Sequence, residues 1–208
     1  MQHSQLYRVA DPALLSRQPI IRLLHTLFHI YPNNTCQPSH ITPLVRLYGG
    51  TLSISDRLLF SIFYLYEKQR KESVAAIFRN WSPTLSVPSS QDTMQTIISL
   101  DPSRVFRTCT AFPTRQQLDG SDYKTLPIAD DGLYDPVFLT LLAAQLVMEQ
   151  KMLSPTEWVQ IFRSNIVSLV ICVFTSIDEN FRKVGMTTLA GVLIRVKVRT
   201  VLHNTASS

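Results

Sequence analysis

The chain has 208 residues, of which 45% are apolar and 17% are charged, with six Gly and twelve Pro. This length suits one domain or one segment of a repeat array, and the composition excludes a low-complexity chain. The formal charge of +5 favours acidic partners but does not require one.

The first predicted element is a helix over residues 19–31, where apolar residues recur at helical spacing. Residues 1–18 are expected to form a flexible segment, although Asp11-Pro12 has the form of a helix start. One face of the helix would carry Ile20, Leu23, Leu24, Leu27, Phe28 and Tyr31, and the other Arg22, His25, Thr26 and His29.

A second helix is expected up to Tyr48. Ser39 can cap its N-terminus, Pro43 suits a first turn, and Gly49-Gly50 can supply the left-handed residue that ends a helix. The next apolar pattern begins after Asp56 with Leu58, Leu59, Ile62, Phe63 and Tyr66, and it resumes beyond a charged turn at 67–72 with Val74, Ile77, Phe78 and Trp81.

Two short helices, 90–100 and 102–111, are predicted to meet at Asp101-Pro102, which has the form of a cap followed by Pro at the first helical position. A long acidic surface loop is expected at 113–132. Between residues 119 and 135 five Asp accompany a single Lys, a net charge of −4, which leaves +9 on the rest of the chain.

The most apolar helix is expected at 137–148 and belongs at the centre of the fold, where Leu141→Ala should cost about 2–5 kcal/mol. Ser154 and Glu157 form a capping box that opens one helix from 155 to about 175. Asp178 can cap a final helix, although residues 196–199 alternate like a strand and 204–208 should be disordered. The core-facing residues of this final helix would be Phe181, Val184, Leu189, Val192, Leu193 and Val196.

These elements predict an all-α fold of stacked antiparallel helices, either armadillo- or HEAT-like or an irregular helical bundle, in a single domain over 19–203. The apolar stretches 136–148 and 166–174 are shorter than the roughly 20 residues that span a bilayer. Three widely spaced cysteines favour a reducing compartment, so a soluble intracellular protein is expected.

Potential zinc ligands are concentrated in one stretch of sixteen residues, namely His25, His29, Cys36 and His40. Arg22 lies one turn before His25 and would repel a dication, so an exposed histidine face beside a buried thiol is the preferred interpretation. Cys109 and Cys172 fall on apolar helix faces, where a thiol packs as a small hydrophobe. We therefore expect no enzymatic activity, metal, cofactor or small-molecule substrate.

Basic residues are the candidates for contact with RNA or another partner. They are Arg104, Arg107, Arg182, Lys183, Arg195, Lys197 and Arg199. Phosphate contact is one interpretation, and solvation or pairing with neighbours such as Asp101 and Glu179 is the other.

Four blocks of this sequence, in the same order, resemble the conserved C-terminal region of the nucleolar pre-ribosomal-associated proteins. They are 36–57 (CQPSHITPLVRLYGGTLSISDR), 99–105 (SLDPSRV), 133–139 (LYDPVFL) and 158–169 (WVQIFRSNIVSL). The resemblance implies part of a very long helical scaffold of early large-subunit ribosome assembly. It also implies a nucleolar location and work on pre-ribosomal RNA with a DEAD-box helicase and other assembly proteins.

The leading hypothesis is therefore a non-enzymatic scaffold segment that acts with pre-ribosomal particles and has no membrane partner. The alternative is a helical adaptor that receives a partner peptide or helix in an apolar groove without RNA.

Overall fold

A computed structural model describes residues 12–71, 73–78, 81, 93–118, 132–149 and 152–205, and for 12–16, 75–76 and 198–205 it describes the backbone alone. In these ranges the regular secondary structure is helical, which confirms the predicted all-α class. One isolated antiparallel bridge, between Thr51 and Tyr134, joins two loops.

The helices before residue 81 are α1 (Pro12–Ile30), α2 (Pro32–Thr35), α3 (Pro38–Leu47), α4 (Ile54–Arg70) and α5 (Val74–Ile77). Those that follow are α6 (Thr93–Ile98), α7 (Pro102–Thr110), α8 (Pro136–Met148), α9 (Pro155–Arg163), α10 (Ile166–Cys172), which continues into a 3₁₀ turn at Val173–Thr175, and α11 (Glu179–Thr205).

Four predicted capping residues begin helices as expected. Asp101 and Asp135 accept hydrogen bonds from the amides of Ser103 and Val137, at 2.9 and 2.8 Å. Ser154 and Glu157 form both bonds of the capping box, and Asp178 accepts from the Asn180 amide at 2.8 Å. These short side-chain acceptors satisfy the amides that have no partner in a first helical turn.

The predicted boundaries near the N-terminus are less accurate. Helix α1 begins at Pro12, so residues 12–18 are helical, and α3 begins at Pro38 without a side-chain cap. Ser39 and Pro43 therefore lie inside α3, because Pro38 already supplies the fixed φ of a first helical position. The left-handed residue is Gly50, with φ of +67°, two residues beyond extended Tyr48.

The prediction of one helix over 155–175 is wrong. Asn165 adopts a left-handed conformation with φ of +64° and separates α9 from α10. The Ser164 hydroxyl donates to the Ile161 carbonyl at 2.7 Å and accepts from the Ile166 amide at 3.3 Å. It therefore gives hydrogen-bond partners to two backbone groups at the break.

In the described residues no single helix is long and apolar enough to cross a membrane. Helix α9 and residues 166–175 reach the required length and apolarity only when taken together, and they are bent by 56° relative to each other.

Helix α11 is continuous through residues 196–199, so their strand-like alternation does not produce a strand. Phe181 and Val192 are buried as predicted, but Leu193 is 59% exposed and does not join the core. Asn204 and Thr205 are helical, whereas 206–208 and most of the predicted acidic loop, 119–131, lie outside the described residues.

The described helices pack around α8. Helix α1 packs on α4, α4 on α5, α5 on α8, and α8 on both α10 and α11. Helices α1 and α4 run in the same direction, because Arg17 pairs with Asp56 near their starts and Phe28 lies beside Tyr66 near their ends. Leu142 is fully buried in α8 while Leu141 is half-buried, so Leu142 is the better position for a cavity test.

The predicted core face of α1 is largely wrong. Ile21 and Phe28 are buried and Leu24 is partly buried against α4. Five other apolar side chains of this region are exposed, namely Ile20, Leu23, Leu27, Ile30 and Tyr31. The apolar arc of α1 is wider than the surface that α4 covers, so periodicity alone did not identify its buried side.

Candidate functional site

The first resemblance block is organised around the buried carboxylate of Asp56, which is 1% exposed. Its two oxygens accept hydrogen bonds from the Gly49 amide (3.0 Å), the Thr51 amide (3.0 Å) and the Thr51 hydroxyl (2.6 Å). Arg17 of α1 completes the set with an ion pair of 2.9 Å. This carboxylate therefore connects α1, the glycine loop and the start of α4.

The glycine loop also pairs with the block at 133–139. The Asp135 amide donates to the Gly50 carbonyl at 2.8 Å, and the Leu52 amide donates to the Leu133 carbonyl at 3.2 Å. A Cβ on Gly50 would lie 2.6 Å from the Phe138 ring, so this position requires glycine for both its φ and its space. Two blocks that are about 80 residues apart in the sequence thus meet at one junction.

Aromatic rings fill the core beneath this junction. Tyr48 stacks on Phe78 with centroids 5.2 Å apart and meets Phe63 and Phe138 edge to face. The Trp81 indole donates to the Tyr48 carbonyl at 2.7 Å. Burial, and secondarily the nearby Asp135 and Asp56 carboxylates, raise the pKa of Tyr48 well above its usual range. Tyr48 is therefore a neutral core residue and not an acid or base.

The other two resemblance blocks extend the same junction. Arg104 lies over the Tyr134 ring at 4.4 Å and donates to the Gly132 carbonyl at 3.1 Å. The Tyr134 amide donates to the Thr108 hydroxyl at 3.1 Å. The Asn165 side chain donates to the Pro102 carbonyl at 3.1 Å, which ties the α9–α10 break to the start of α7. All four blocks therefore supply contacts between elements.

Several predicted contact residues take part in intramolecular interactions. Arg104 is held at the Tyr134 junction, Arg182 donates to the Ser176 carbonyl at 2.6 Å, and Arg195 donates to the Val147 carbonyl at the end of α8. Lys183 pairs with Glu179 at 2.7 Å, which is one of the pairings weighed from the sequence. Arg107 and Lys197 are exposed. The side chain of Arg199 lies outside the described residues.

The structure does not place these candidates on a single element. Arg104 and Arg107 lie on α7, whereas Arg182, Lys183, Arg195 and Lys197 lie on α11, and α10 packs against both helices. On α11, Arg195 is directed toward α8 while Lys183 and Lys197 are exposed. Their role in binding RNA or a partner remains a prediction.

Sequence reasoning missed further exposed basic residues because it did not separate surface from buried charge. The additional exposed bases are Arg22, Arg46, Lys68, Arg70, Lys71, Arg115 and Arg163. Among the described side chains, ten Lys or Arg are exposed against three acids, Glu67, Asp101 and Glu179. Asp56 and Asp135 are buried at the junction, and four acids of the predicted acidic loop, Asp119, Asp122, Asp130 and Asp131, lie outside the described residues.

The histidines and Cys36 do not converge on one point. The Nδ1 atoms of His29 and His40 approach the backbone oxygens of His25 and Thr35, at 2.9 and 2.7 Å. Cys36 is fully buried, and this burial raises the pKa of its thiol. Among the residues described, no group of three or more His, Cys, Asp or Glu side chains is arranged to hold a metal ion.

Cys109 and Cys172 face each other between α7 and the end of α10. Burial, together with the adjacent Cys172 thiol, raises the pKa of Cys109 to about 12. Its thiol is therefore protonated near neutral pH and is a poor nucleophile.

The fold and its junction define an all-helical protein whose distinctive motifs hold its helices together. The chain is similar to nucleolar pre-ribosomal-associated protein 1 of Homo sapiens, at 25% identity over 196 residues, and to the Mus musculus protein of the same name, at 25% identity over 198 residues. These comparisons confirm the resemblance to the nucleolar pre-ribosomal-associated proteins. Each covers 84% of this chain, which spans about 8% of the length of these relatives. No protein-family model and no solved structure matches the chain.

Proposed function

We propose that this chain is a non-enzymatic scaffold segment in the nucleolar assembly of the large ribosomal subunit. The observation that carries the proposal is the similarity to two proteins named for nucleolar pre-ribosomal association. The role of the four resemblance blocks supports it, because they are used in contacts between helices. A scaffold requires such rigidity to hold its partners in fixed positions.

The basic surface provides a physical means of association with a pre-ribosomal particle. Among the side chains that the structure describes, ten exposed Lys or Arg against three exposed acids attract phosphates, and attraction of this kind weakens as salt rises. In this proposal the chain contacts pre-ribosomal RNA or its particle and works beside other assembly proteins, including a DEAD-box helicase.

The proposal is tested by affinity purification of the tagged chain from nucleolar extract, followed by sequencing of bound RNA and mass spectrometry of bound proteins. Enrichment of large-subunit precursor RNA and assembly factors is expected. Equal recovery of small-subunit precursors, or recovery no greater than that of an unrelated basic helical protein, would contradict it.

A salt titration separates RNA contact from protein contact. Each phosphate contact should contribute a slope of about −0.7 to −0.9 to a plot of log affinity against log salt. We expect Arg107→Gln combined with Lys183→Gln and Lys197→Gln to reduce this slope. The matched control combines Arg22→Gln, Arg46→Gln and Lys68→Gln, which removes the same charge from exposed positions elsewhere. Equal effects in both sets would show that the predicted residues have no special role.

A second candidate function, the helical adaptor, is favoured by the exposed apolar side of α1. Ile20, Leu23, Leu27 and Ile30 are separated by three, four and three residues, the spacing at which one helix packs on another. Replacing Leu23 and Leu27 by Asp should release a partner of this kind and leave RNA association unchanged. Loss of RNA association alone would exclude the adaptor.

A further inference from the structure

The outer side of α11 carries a regular stripe of exposed residues. Six positions share this side at spacings of four and three residues, namely Glu179, Lys183, Met186, Ala190, Leu193 and Lys197. Met186 and Leu193 are 52% and 59% exposed, and neighbouring Ile194 is 62% exposed. The opposite side, with Phe181, Thr188 and Val192, is buried in the protein. Helix α11 therefore has an apolar centre on its outer side as well as a core face.

The spacing of this stripe specifies the shape of what it can bind. Alternating steps of three and four residues are the repeat of a helix that packs along another helix, with the knobs of one fitting into the holes of the other. The apolar part, from Met186 to Ile194, covers about two helical turns. A second helix of similar length fits this surface.

Charge determines which kind of helix fits. Lys183 and Lys197 lie at the two ends of the apolar part, 14 residues or about 21 Å apart. In α11, Glu179 is the only acid among the residues whose side chains the structure describes. Lys183 already pairs with Glu179 at 2.7 Å but stays 66% exposed, so a partner with Asp or Glu at each end of its own apolar stripe can approach both lysines.

The same charges disfavour a second copy of this chain. An antiparallel pair of α11 helices centred on Ala190, which overlaps the two apolar parts fully, places Lys183 of one opposite Lys197 of the other. A register centred on Thr188 would pair Glu179 with Lys197 but would set Lys183 against Leu193. A parallel pair places each lysine opposite itself. The fully overlapped antiparallel pair and the parallel pair both bring like charges together. Nucleic acid is also a poorer fit, because the phosphate backbone offers no apolar surface to cover Met186 and Leu193.

We propose that the outer face of α11 binds an acidic amphipathic helix of a protein partner. The site takes a helix with about two turns of apolar residues bracketed by carboxylates. This goes beyond the pre-ribosomal role and does not depend on it, because the contact would exist in any assembly that supplies such a helix.

The experiment uses the full chain and two synthetic helical peptides of about 20 residues. Both carry Leu and Ala at the same positions along one face of the helix. One peptide carries Glu at the two ends of this apolar face, and the other carries Lys there. Fluorescence anisotropy should show that the Glu peptide binds about tenfold more tightly than the Lys peptide. Lys183→Glu combined with Lys197→Glu should reverse this preference. Arg46→Glu with Lys68→Glu, a matched change at exposed positions on α3 and α4, should leave it unchanged.

Leu193→Asp should weaken binding of the Glu peptide at least about tenfold while the thermal unfolding curve stays unchanged, because Leu193 is outside the core. Equal binding of the two peptides, or no response to the charge reversal, would overturn the proposal. It would also be overturned if sedimentation showed self-association that Leu193→Asp abolishes, since the face would then belong to a second copy. Single-stranded RNA that stays bound through Lys183 and Lys197 when the Glu peptide is added in excess would assign the lysines to phosphate instead. If the Glu peptide does not bind, enrichment of large-subunit precursor RNA with the tagged chain is still expected, so the two proposals are distinguishable.

Discussion

Removing the Asp56 carboxylate tests whether the junction holds the N-terminal helices to the rest of the fold. In Asp56→Ala the amides of Gly49 and Thr51 lose their acceptor, and Arg17 loses its ion-pair partner. The loop that pairs with residues 133–135 then loses three hydrogen bonds to the carboxylate. We expect the free energy of unfolding to fall substantially, although one side chain in a chain of 208 residues is changed.

The expected loss is about 3–5 kcal/mol, because the Gly49 amide, the Thr51 amide and the Thr51 hydroxyl all lose a charged acceptor at a buried site. A hydrogen bond to a charged acceptor contributes about 1.5–3 kcal/mol, and Asp56 accepts three in addition to its bond with Arg17. The simple sum overstates the loss, because the freed amides regain some water. The Arg17 side chain is 35% exposed, so its ion pair accounts for only about 1 kcal/mol of the total.

Urea unfolding followed by Trp fluorescence provides the measurement, since Trp81 is buried near the junction. Asp101→Ala is the matched control, because Asp101 also caps a helix but is exposed, and it should cost about 1 kcal/mol. Arg17→Met should cost about 1 kcal/mol, similar to Asp101→Ala. An Asp56→Ala loss no larger than that of Asp101→Ala would refute the assignment of Asp56 as the central contact of the junction.

Three further predictions concern packing and thiol chemistry. A Cβ on Gly191 would lie 2.3 Å from Val147, so Gly191→Ala should destabilise the protein by about 1–3 kcal/mol, and adding Val147→Ala should recover part of this loss in the same urea assay. Leu142→Ala should cost about 2–5 kcal/mol by leaving a cavity in α8, whereas half-buried Leu141→Ala should cost clearly less, and the reverse order would show that the burial pattern of α8 is wrong. A pKa of about 12 leaves Cys109 almost entirely protonated at pH 8, so iodoacetamide should label it about a thousandfold more slowly in the native chain than in urea. Peptide mass spectrometry measures this ratio, and similar rates in both states would contradict the buried thiol. Because the pKa is raised, the contribution of this thiol to stability is present below the unfolded value of 9.0 and declines as pH rises toward 12.

Local sequence signals were sufficient to predict where a helix starts when it begins with a capping residue. Asp101, Asp135, Ser154 and Asp178 each act within three residues of their own position, so their effect is readable without the fold. The apolar composition of 137–148 likewise predicted a buried central helix, because a helix without a polar side must be surrounded. The break at Asn165 was not predicted, since the apolar pattern continues across it and the conformation of one residue interrupts it.

The functional surfaces were harder to predict than the elements. The apolar stripe of α1 was identified, but the side that faces α4 depends on where α4 lies, and the exposed residues were assigned to the core. The same limit applied to Leu193 on α11. Among the charged candidates, Arg195 and Lys197 look alike in the sequence, yet one donates to the end of α8 and the other is exposed.

The sequence by itself determined the all-helical class, the starts of the capped helices and the likeness to a nucleolar family, because these depend on residues that are near neighbours or on a shared order of motifs. Only the tertiary structure decided how the four resemblance blocks contact one another and which apolar and basic side chains remain exposed. The physical reason is that burial is a property of pairs of elements. A side chain is removed from water only when another helix covers it, and no local pattern specifies which helix that is.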